Sequence, residues 1–248
     1  MSDNTSIGQA AASARKIFDL VCPRCRQPVE EGSDTMECTG CGRTYPKVGG
    51  IPVLVPEPEA LIAHWCKLLQ KFDEDMRRGL DELLVRFTAD DLPEKTHTRL
   101  KTLHHHLGRH RARLLELLTD AGLVVGGVES SSSGDGTLNH GSLLDYYAQI
   151  HRDWGWESEG CREALEAAEA VGSILADHEL GRFLVLGAGA CRLTRDLHHR
   201  YRATATLALD VDPLPFVVAQ QLLQGRTVRL YEFPPWPLDS TKLFADRS

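Results

Sequence analysis

The sequence lacks the features that mark membrane proteins, secreted proteins and proteins that coat nucleic acid. No apolar run approaches the roughly 18 residues that a membrane-spanning helix needs. The N-terminal stretch 1–20 has no long apolar core of the secretory kind. Basic residues do not dominate either, because 28 Lys and Arg stand against 35 Asp and Glu, a net charge of −7. We therefore expect a cytoplasmic protein with no membrane partner and little affinity for nucleic acid.

Cysteines are few, but four of the seven are arranged in two close pairs. Cys22 and Cys25 form one C-x₂-C pair, and Cys38 and Cys41 form a second after twelve intervening residues. In a reducing compartment such pairs indicate metal or redox chemistry more often than disulfides. The redox alternative needs a C-x-x-C beside a βαβ pattern, and none lies nearby. The spacing therefore predicts a structural Zn²⁺ held by four thiolates, with no position open for catalysis.

The residues that follow the cysteine pairs continue the same small domain. Tyr45 and Pro46 are followed by a glycine turn at 49–50 and a β-branched run at 51–55. This order resembles the Trm112-like zinc-ribbon family over residues 17–57. The resemblance implies a ribbon that either activates a separate methyltransferase or is fused in front of one.

A second pattern lies near the C-terminal end of the sequence. A short apolar run at 183–186 leads into Gly187-Ala188-Gly189, a helical pattern at 192–200 and another apolar run at 205–209 that stops on Asp210. Strand, glycine turn, helix, strand and acid form one βαβ unit of the nucleotide-binding kind. The alternative is a tight strand-to-helix turn without a ligand, because the third glycine of the dinucleotide fingerprint is absent.

The stretch from Phe183 to Leu193 resembles motif I of class I S-adenosylmethionine-dependent methyltransferases, most closely the carnosine N-methyltransferase-like group. The upstream segment 151–154 resembles the Arg-Asp-Trp segment of that group. The resemblance implies S-adenosylmethionine as cofactor, with its methionine end over Gly187, Ala188 and Gly189 and its ribose hydroxyls on Asp210. By the same resemblance Tyr147 or Trp154 would contact the adenine, although an aromatic residue on a helix is more often part of a core. Two residues depart from the family pattern. Val185 stands where the family has an acidic residue, and Cys191 stands where it has the third glycine.

The segments between these two motifs read as helices. Apolar residues recur at three and four positions from Leu61 to Phe87, and a second helix runs to residue 119. Its histidines and arginines could form a metal site or an RNA-facing strip, but the solvated face of an amphipathic helix is favoured. Only His106 and His110, at i and i+4, could share an ion.

Two further helices are predicted between the second helix and the βαβ unit. Ser142 caps a helix through Trp156, with Asp145 at its third position. A second helix covers 161–177. Three single cysteines, Cys66, Cys161 and Cys191, read as buried thiols.

The fold class is therefore α/β, with a zinc ribbon, a helical spacer and a partial Rossmann-like βαβαβ unit. The predicted divisions are a disordered N-terminus at 1–16, the ribbon at 17–57, the spacer at 58–127, a flexible linker at 128–140, and the N-terminal half of a class I methyltransferase domain at 141–248.

The predicted sheet is short of strands. A helix at 213–224 and a third strand at 227–233 follow Asp210, whereas a class I methyltransferase sheet has seven strands. We expect a truncated or interrupted form of a longer enzyme. The alternatives are a partner chain that completes the sheet, or a non-catalytic domain. No catalytic residue or methyl acceptor can be named.

Three functions follow from these patterns. The main prediction is an S-adenosylmethionine-dependent methyltransferase in incomplete form. The alternative is a non-catalytic adaptor whose zinc ribbon docks a partner methyltransferase. A nucleic-acid-binding ribbon that uses the basic helix at 95–113 ranks third, because the net charge is acidic.

Overall fold

A computed structural model describes residues 18–89, 91–125, 142–155, 160–175, 181–233 and 245–247 of the chain. The N-terminus at 1–16 and the linker at 128–140, for which disorder and flexibility were predicted, lie outside these ranges. Within them, no helix combines the length and the apolarity that crossing a membrane requires.

The N-terminal part is a small antiparallel sheet whose strands follow sequence order. It comprises β1 (Val29–Glu31), β2 (Thr35–Cys38), β3 (Thr44–Val48) and β4 (Ile51–Pro52). Gly49 and Gly50 join the last two strands with φ of 57° and 81°, a two-residue turn that needs left-handed backbone at both positions. This requirement explains the glycine pair of the sequence.

Two long helices form the next layer. Helix α1 (Pro58–Phe87) begins with a proline in its first turn, and α2 (Glu94–Asp120) begins directly after Pro93. The short connection makes them an antiparallel hairpin. Buried Asp73 on α1 is ion-paired with Arg77 at 2.9 Å and with Arg111 of α2, so its charge is compensated from both helices.

One hydrophobic core joins the ribbon to the rest of the molecule. Val48 and Val53 of the ribbon belong to the same cluster as Trp65 of α1 and Leu114 of α2. The N–H of Gly49 also donates to the carbonyl of Ala121, at 2.7 Å. The helices predicted as a spacer therefore pack directly against the ribbon.

The segment after residue 141 departs from the predicted long helix. A turn leads into the short helix α3 (Tyr147–Ile150), which continues as a π-helix (His151–Gly155). The prediction that Ser142 caps a helix is wrong, because the N-cap of α3 is Tyr146 and no side chain caps it. Ser142 and Asp145 instead close the preceding turn: Asp145 Oδ2 accepts from the Ser142 N–H at 3.1 Å and Ser142 Oγ accepts from the Leu144 N–H at 3.2 Å. The next helix, α4 (Gly160–Leu175), matches the predicted helix to within two residues.

The predicted βαβ unit is present as two parallel strands. Strand β5 (Arg182–Leu186), helix α5 (Arg192–Arg200) and strand β6 (Ala205–Leu209) follow one another, and helix α6 (Pro213–Leu223) comes next. The apolar residues of α6 enter the main core, with Leu214, Val217 and Val218 almost fully buried.

The third strand differs from the prediction. It is only β7 (Leu230–Glu232), and in the described ranges it pairs antiparallel with β8 (Ala245–Arg247), not with β6. Its middle residue explains this placement. Tyr231 is fully buried, and its carbonyl accepts from the Tyr147 hydroxyl at 2.6 Å, so packing against the helices holds β7 away from the parallel pair. The βαβαβ unit is thus reduced to one βαβ, and a Rossmann-like domain is not shown.

Candidate metal centre and glycine turn

Both cysteine pairs lie on matching tight turns. Arg26 donates its N–H to the Cys22 carbonyl at 2.8 Å, and Gly42 donates to the Cys38 carbonyl at 3.0 Å. Arg26 and Gly42 each follow the second cysteine of a pair, and both have left-handed backbone, with φ of 63° and 68°. Each turn folds its two thiols toward the same point.

The four thiols form a cluster of the size that zinc needs. Their Sγ atoms all lie within 4.8 Å of one another, and in the described part of the chain no other group of three or more possible ligands does so. Cys22 Sγ lies 3.8 Å from Cys41 Sγ, and Cys25 Sγ lies 3.3 Å from Cys38 Sγ. A tetrahedron with Zn–S bonds of about 2.3 Å has sulfur–sulfur edges of about 3.8 Å. The four cysteines are therefore positioned to bind a zinc ion, with no open coordination site.

Hydrogen bonds from the chain converge on two of the four sulfurs. Cys22 Sγ lies 2.9 Å from the hydroxyl oxygen of Tyr45 and accepts from the Cys25 N–H at 3.4 Å. Cys38 Sγ accepts from the N–H groups of Gly40 and Cys41, both at 3.4 Å. Such donors stabilise thiolates, and zinc binds the thiolate form.

The protonation equilibria of Cys22 and Tyr45 agree with this arrangement. Burial opposes ionisation of Cys22, but the hydrogen bonds from Tyr45 and from backbone N–H groups outweigh it and lower the pKa of the thiol to about 6. Burial first, and the contact with Cys22 second, raise the pKa of Tyr45 to about 12. Tyr45 therefore stays protonated, and its hydroxyl group donates a hydrogen bond to the sulfur. The sequence presented Tyr45 only as a strand residue, and its place four positions after Cys41 is the signal that could have identified it.

The glycine turn has the open geometry that close approach of a ligand requires. Gly187 and Gly189 have φ of 64° and 53°, and a Cβ added at either position would meet no atom within 4 Å. Cys191 occupies the third glycine position and also has left-handed backbone, with φ of 61°. A hydrogen bond from the Ala188 N–H to the Leu209 carbonyl, at 3.0 Å, ties the turn to the end of β6.

Asp210 holds the turn from the next strand. One carboxylate oxygen accepts from the Gly189 N–H at 2.6 Å, and the other accepts from the N–H groups of Val211 and Asp212 at 2.7 and 2.9 Å. The predicted residues Gly187, Gly189 and Asp210 therefore lie together at one end of the parallel strand pair. Each carboxylate oxygen can accept more than one hydrogen bond, so capacity remains for a further donor.

Trp154 contacts the same turn from the π-helix. Its indole N–H donates to the Ala190 carbonyl at 2.8 Å. The guanidinium groups of Arg192 and Arg195 lie 5.3 and 5.9 Å from its ring, and Arg192 also donates to the Asp153 carbonyl at 3.0 Å. Trp154 therefore supports the backbone of the turn. Its contact with an adenine stays a prediction.

His110 does not lie on a solvated helix face, so that interpretation is wrong for this residue. Only 3% of its surface is exposed, and its ring packs edge-on against Tyr147, Phe72 and Phe233 at 5.2–6.3 Å. Burial, followed by the nearby charges of His151 and Arg113, lowers the pKa of His110 to about 4. Because α2 meets three other elements here, a pattern based on one helix could not place this histidine.

The comparisons with known proteins concern the ribbon alone. Residues 20–46 match the family described as Trm112p-like protein. No curated protein and no solved structure matches the chain. The matched range contains all four cysteines and strands β1 and β2, so the prediction of a Trm112-like zinc ribbon is confirmed there. The methyltransferase resemblance of the glycine turn has no counterpart among these matches and stays a prediction.

Proposed function

We propose that the chain is an adaptor whose zinc ribbon docks a partner methyltransferase. The observation that carries this proposal is the Trm112p-like match over residues 20–46, which coincides with the four-cysteine cluster. The resemblance to that family implies a ribbon that activates methyltransferases. A closed four-thiolate site suits this role, because it stabilises a shape and supplies no catalytic position.

The packing of the ribbon favours a docking role. Val48 and Val53 lie in the main core, and the Gly49 N–H donates to the Ala121 carbonyl, so the ribbon is held in one orientation. Val21 next to the cysteine turn is 45% exposed. A ribbon fixed on a helical base can present such apolar residues to a partner with little loss of conformational entropy.

A second surface, the apolar face, is formed by Leu184, Leu186 and Leu209, which are 50, 72 and 45% exposed. Thr206 contacts His198 of α5 at 2.9 Å, so α5 covers the opposite face of the strand pair. Three leucines alone supply far less than the roughly 800 Å² per partner of a stable interface. A methyltransferase that binds the ribbon and packs an apolar helix on this face of the strand pair would bury both surfaces.

The test is cross-linking of the full, zinc-loaded chain in its host cells, followed by reconstitution with the purified partner. We expect a methyltransferase-domain protein cross-linked to the ribbon, and we expect its solubility or activity to rise when the chain is added. Cys22→Ser should abolish the interaction, whereas Cys66→Ala, a change of a buried cysteine outside the ribbon, should keep it. A partner without a methyltransferase domain, or binding that survives Cys22→Ser, would contradict the proposal.

A second candidate function is binding of S-adenosylmethionine, with catalysis only in a complete enzyme. The observation that favours it is the contact between Asp210 and the Gly189 N–H, beside two glycines that face open space. By the methyltransferase resemblance, Gly187, Ala188 and Gly189 would lie beneath the methionine end, and Asp210 would accept from the ribose hydroxyls. The cofactor would supply a sulfonium methyl group.

Titration calorimetry of the zinc-loaded chain with S-adenosylmethionine and S-adenosylhomocysteine tests this second function. Micromolar binding that is lost in Asp210→Ala and kept in Asp212→Asn would support it, because asparagine still caps α6. A folded, monodisperse sample without binding would exclude it and would leave the adaptor proposal untouched.

A further inference from the structure

We propose that Cys41 is an oxidation site, the thiolate through which hydrogen peroxide attacks the ribbon and releases its zinc. This reaction involves the ribbon alone and does not depend on the identity of any partner. The four ligands differ from one another in ways that the regular C-x₂-C spacing does not reveal.

The four thiols differ first in exposure. Cys22 and Cys38 are buried, with 0 and 1% of their surface accessible, and Cys25 is intermediate. Cys41 is exposed. It lies at the end of the second cysteine turn, directly before Gly42, whose missing side chain leaves open space. A peroxide molecule can therefore reach Cys41 Sγ from solvent.

The thiols differ also in the donors that stabilise their negative charge. Two donors contact Cys22 Sγ, and two backbone N–H groups contact Cys38 Sγ. The backbone N–H of Gln27 is a hydrogen-bond donor to the Cys25 thiol. The neighbours that Cys41 Sγ has in the described ranges are the other three thiols, with Cys22 Sγ at 3.8 Å and the thiols of Cys25 and Cys38 beside it. Each hydrogen bond donated to a thiolate lowers the free energy of that thiolate by about 1.5–3 kcal/mol. The nucleophilicity of the sulfur falls accordingly.

Exposure and donor number therefore select the same residue. The Cys41 thiolate sulfur attacks one oxygen of hydrogen peroxide, an S–O bond forms, the O–O bond breaks and hydroxide leaves. The sulfur is oxidised by two electrons to sulfenic acid and the peroxide is reduced. Cys22 Sγ lies 3.8 Å away and attacks the sulfenic sulfur, which forms a disulfide and releases a second hydroxide. Both sulfurs are then lost as zinc ligands.

The consequence reaches beyond the metal site. Val48 and Val53 link the ribbon to the main core, and Tyr45 contacts both Cys22 and the small core of the ribbon. Loss of zinc removes the interaction that shapes this sheet, because a ribbon of this size has too small a core to fold without it. Oxidation of one exposed sulfur is thereby converted into loss of the whole ribbon surface.

The experiment treats the zinc-loaded full chain with hydrogen peroxide at neutral pH. Zinc release is followed with a chromogenic chelator, and sulfenic acid is trapped with dimedone and located by peptide mass spectrometry. We expect the first dimedone adduct on Cys41 and zinc release at the same rate. A first adduct on Cys22, Cys25 or Cys38 would overturn the proposal.

Matched ligand exchanges supply the control. Cys41→His keeps a ligand that peroxide attacks poorly, so zinc release should slow by about tenfold or more, the factor that one hydrogen bond to a thiolate is worth. Cys25→His makes the same exchange in the other turn and should leave the release rate within about twofold, because Cys41 is intact. Equal slowing in both variants would contradict the proposal. Should either variant fail to bind zinc, the adduct map of the unchanged chain decides the question.

Tyr45→Phe tests the protective role of the donors. This change removes the hydroxyl contact at Cys22 Sγ and keeps the buried ring. We expect additional dimedone labelling at Cys22 with Cys41 still labelled first. Unchanged labelling of Cys22 would show that burial alone protects it, and the donor argument for Cys41 would fail.

Discussion

The ribbon and the glycine turn both contain a sharp backbone bend whose N–H groups need hydrogen-bond acceptors. The two regions differ in the acceptors that they use. In the ribbon, backbone N–H groups point to the sulfurs of Cys22 and Cys38. At the glycine turn, the N–H groups of Gly189, Val211 and Asp212 point to the carboxylate of Asp210. The first bend depends on a metal for its charge balance, whereas the second is complete within the chain. Removal of the acceptor should therefore have a much larger effect in the ribbon.

Removal of zinc is the largest expected effect. Structural zinc binding is worth about 10–16 kcal/mol in zinc-finger peptides, so a strong chelator or Cys22→Ser should unfold the sheet of the ribbon. Helical circular dichroism from α1 and α2 should largely persist. NMR amide dispersion measures the loss, and Cys66→Ala should retain the dispersion of the ribbon. Unchanged NMR signals of the ribbon after treatment with the chelator would contradict the proposed dependence of the ribbon on zinc.

Loss of the carboxylate should be the next largest effect. Asp210→Ala removes the acceptor of three N–H groups, and we expect a loss of about 4 kcal/mol in the free energy of unfolding, because hydrogen bonds to charged groups are the strong ones. Asp210→Asn keeps one acceptor oxygen and should lose about half as much. Urea unfolding measures both. A loss in Asp210→Ala as large as that on zinc removal would make the two regions equivalent.

The pH dependence of stability should report His110, which lies in neither bend. Its pKa is about 4 in the folded chain and about 6.5 when unfolded, so the unfolded state binds more protons between these values. Stability is therefore full above pH 6.5 and falls by about 3 kcal/mol as the pH drops to 4. His110→Phe should lower the slope of the unfolding free energy against pH by the contribution of about one proton. The exposed-residue change His105→Gln should leave this slope unchanged. Equal slopes in both variants would contradict this assignment.

Trp154→Phe should have a small effect. The change removes the indole donor to the Ala190 carbonyl and leaves most of the ring contact with Arg192. We expect a loss of about 1 kcal/mol, the net value of one neutral hydrogen bond. Thermal unfolding measures it. A loss above that of Asp210→Ala would show that the π-helix, and not the carboxylate, holds the glycine turn.

The smallest effect on stability is expected on the apolar face. Leu186 is 72% exposed, so Leu186→Lys should change the free energy of unfolding by less than about 0.5 kcal/mol. It should nevertheless weaken partner binding, and Leu80→Lys on α1 serves as a control outside the face. If the partner binds Leu186→Lys with unchanged affinity, the proposed role of the apolar face is excluded.

The sequence identified the elements whose chemistry is local. Paired cysteines, a glycine pair between two strands and a glycine turn between an apolar strand and a helix each satisfy a constraint that lies within a few positions. The methyltransferase domain was inferred by extending such a local pattern to 141–248, and only one βαβ of it is present in the described ranges. Burial of Tyr231 against the helices competes with pairing to β6, and no local pattern contains that information.

The candidate site shows the same division. Cys22, Cys25, Cys38 and Cys41 could be named from spacing, and the contact of Asp210 with Gly189 follows from the order of the two strands. The roles of Tyr45 and His110 depend on which elements meet in space, and so does the difference in exposure between Cys41 and Cys22. Tertiary packing decided each of these.

The contact of α6 with the ribbon turn has a consequence for biosynthesis. The side chain of Gln220 lies against Gly49 and Gly50, so two segments about 170 positions apart meet there. At about 5–20 residues per second, the ribosome makes the second segment on the order of ten seconds after the first. The nascent ribbon can collect its zinc during that interval, while Val48 and Val53 still await the helices that bury them. Metal loading can thus precede completion of the core.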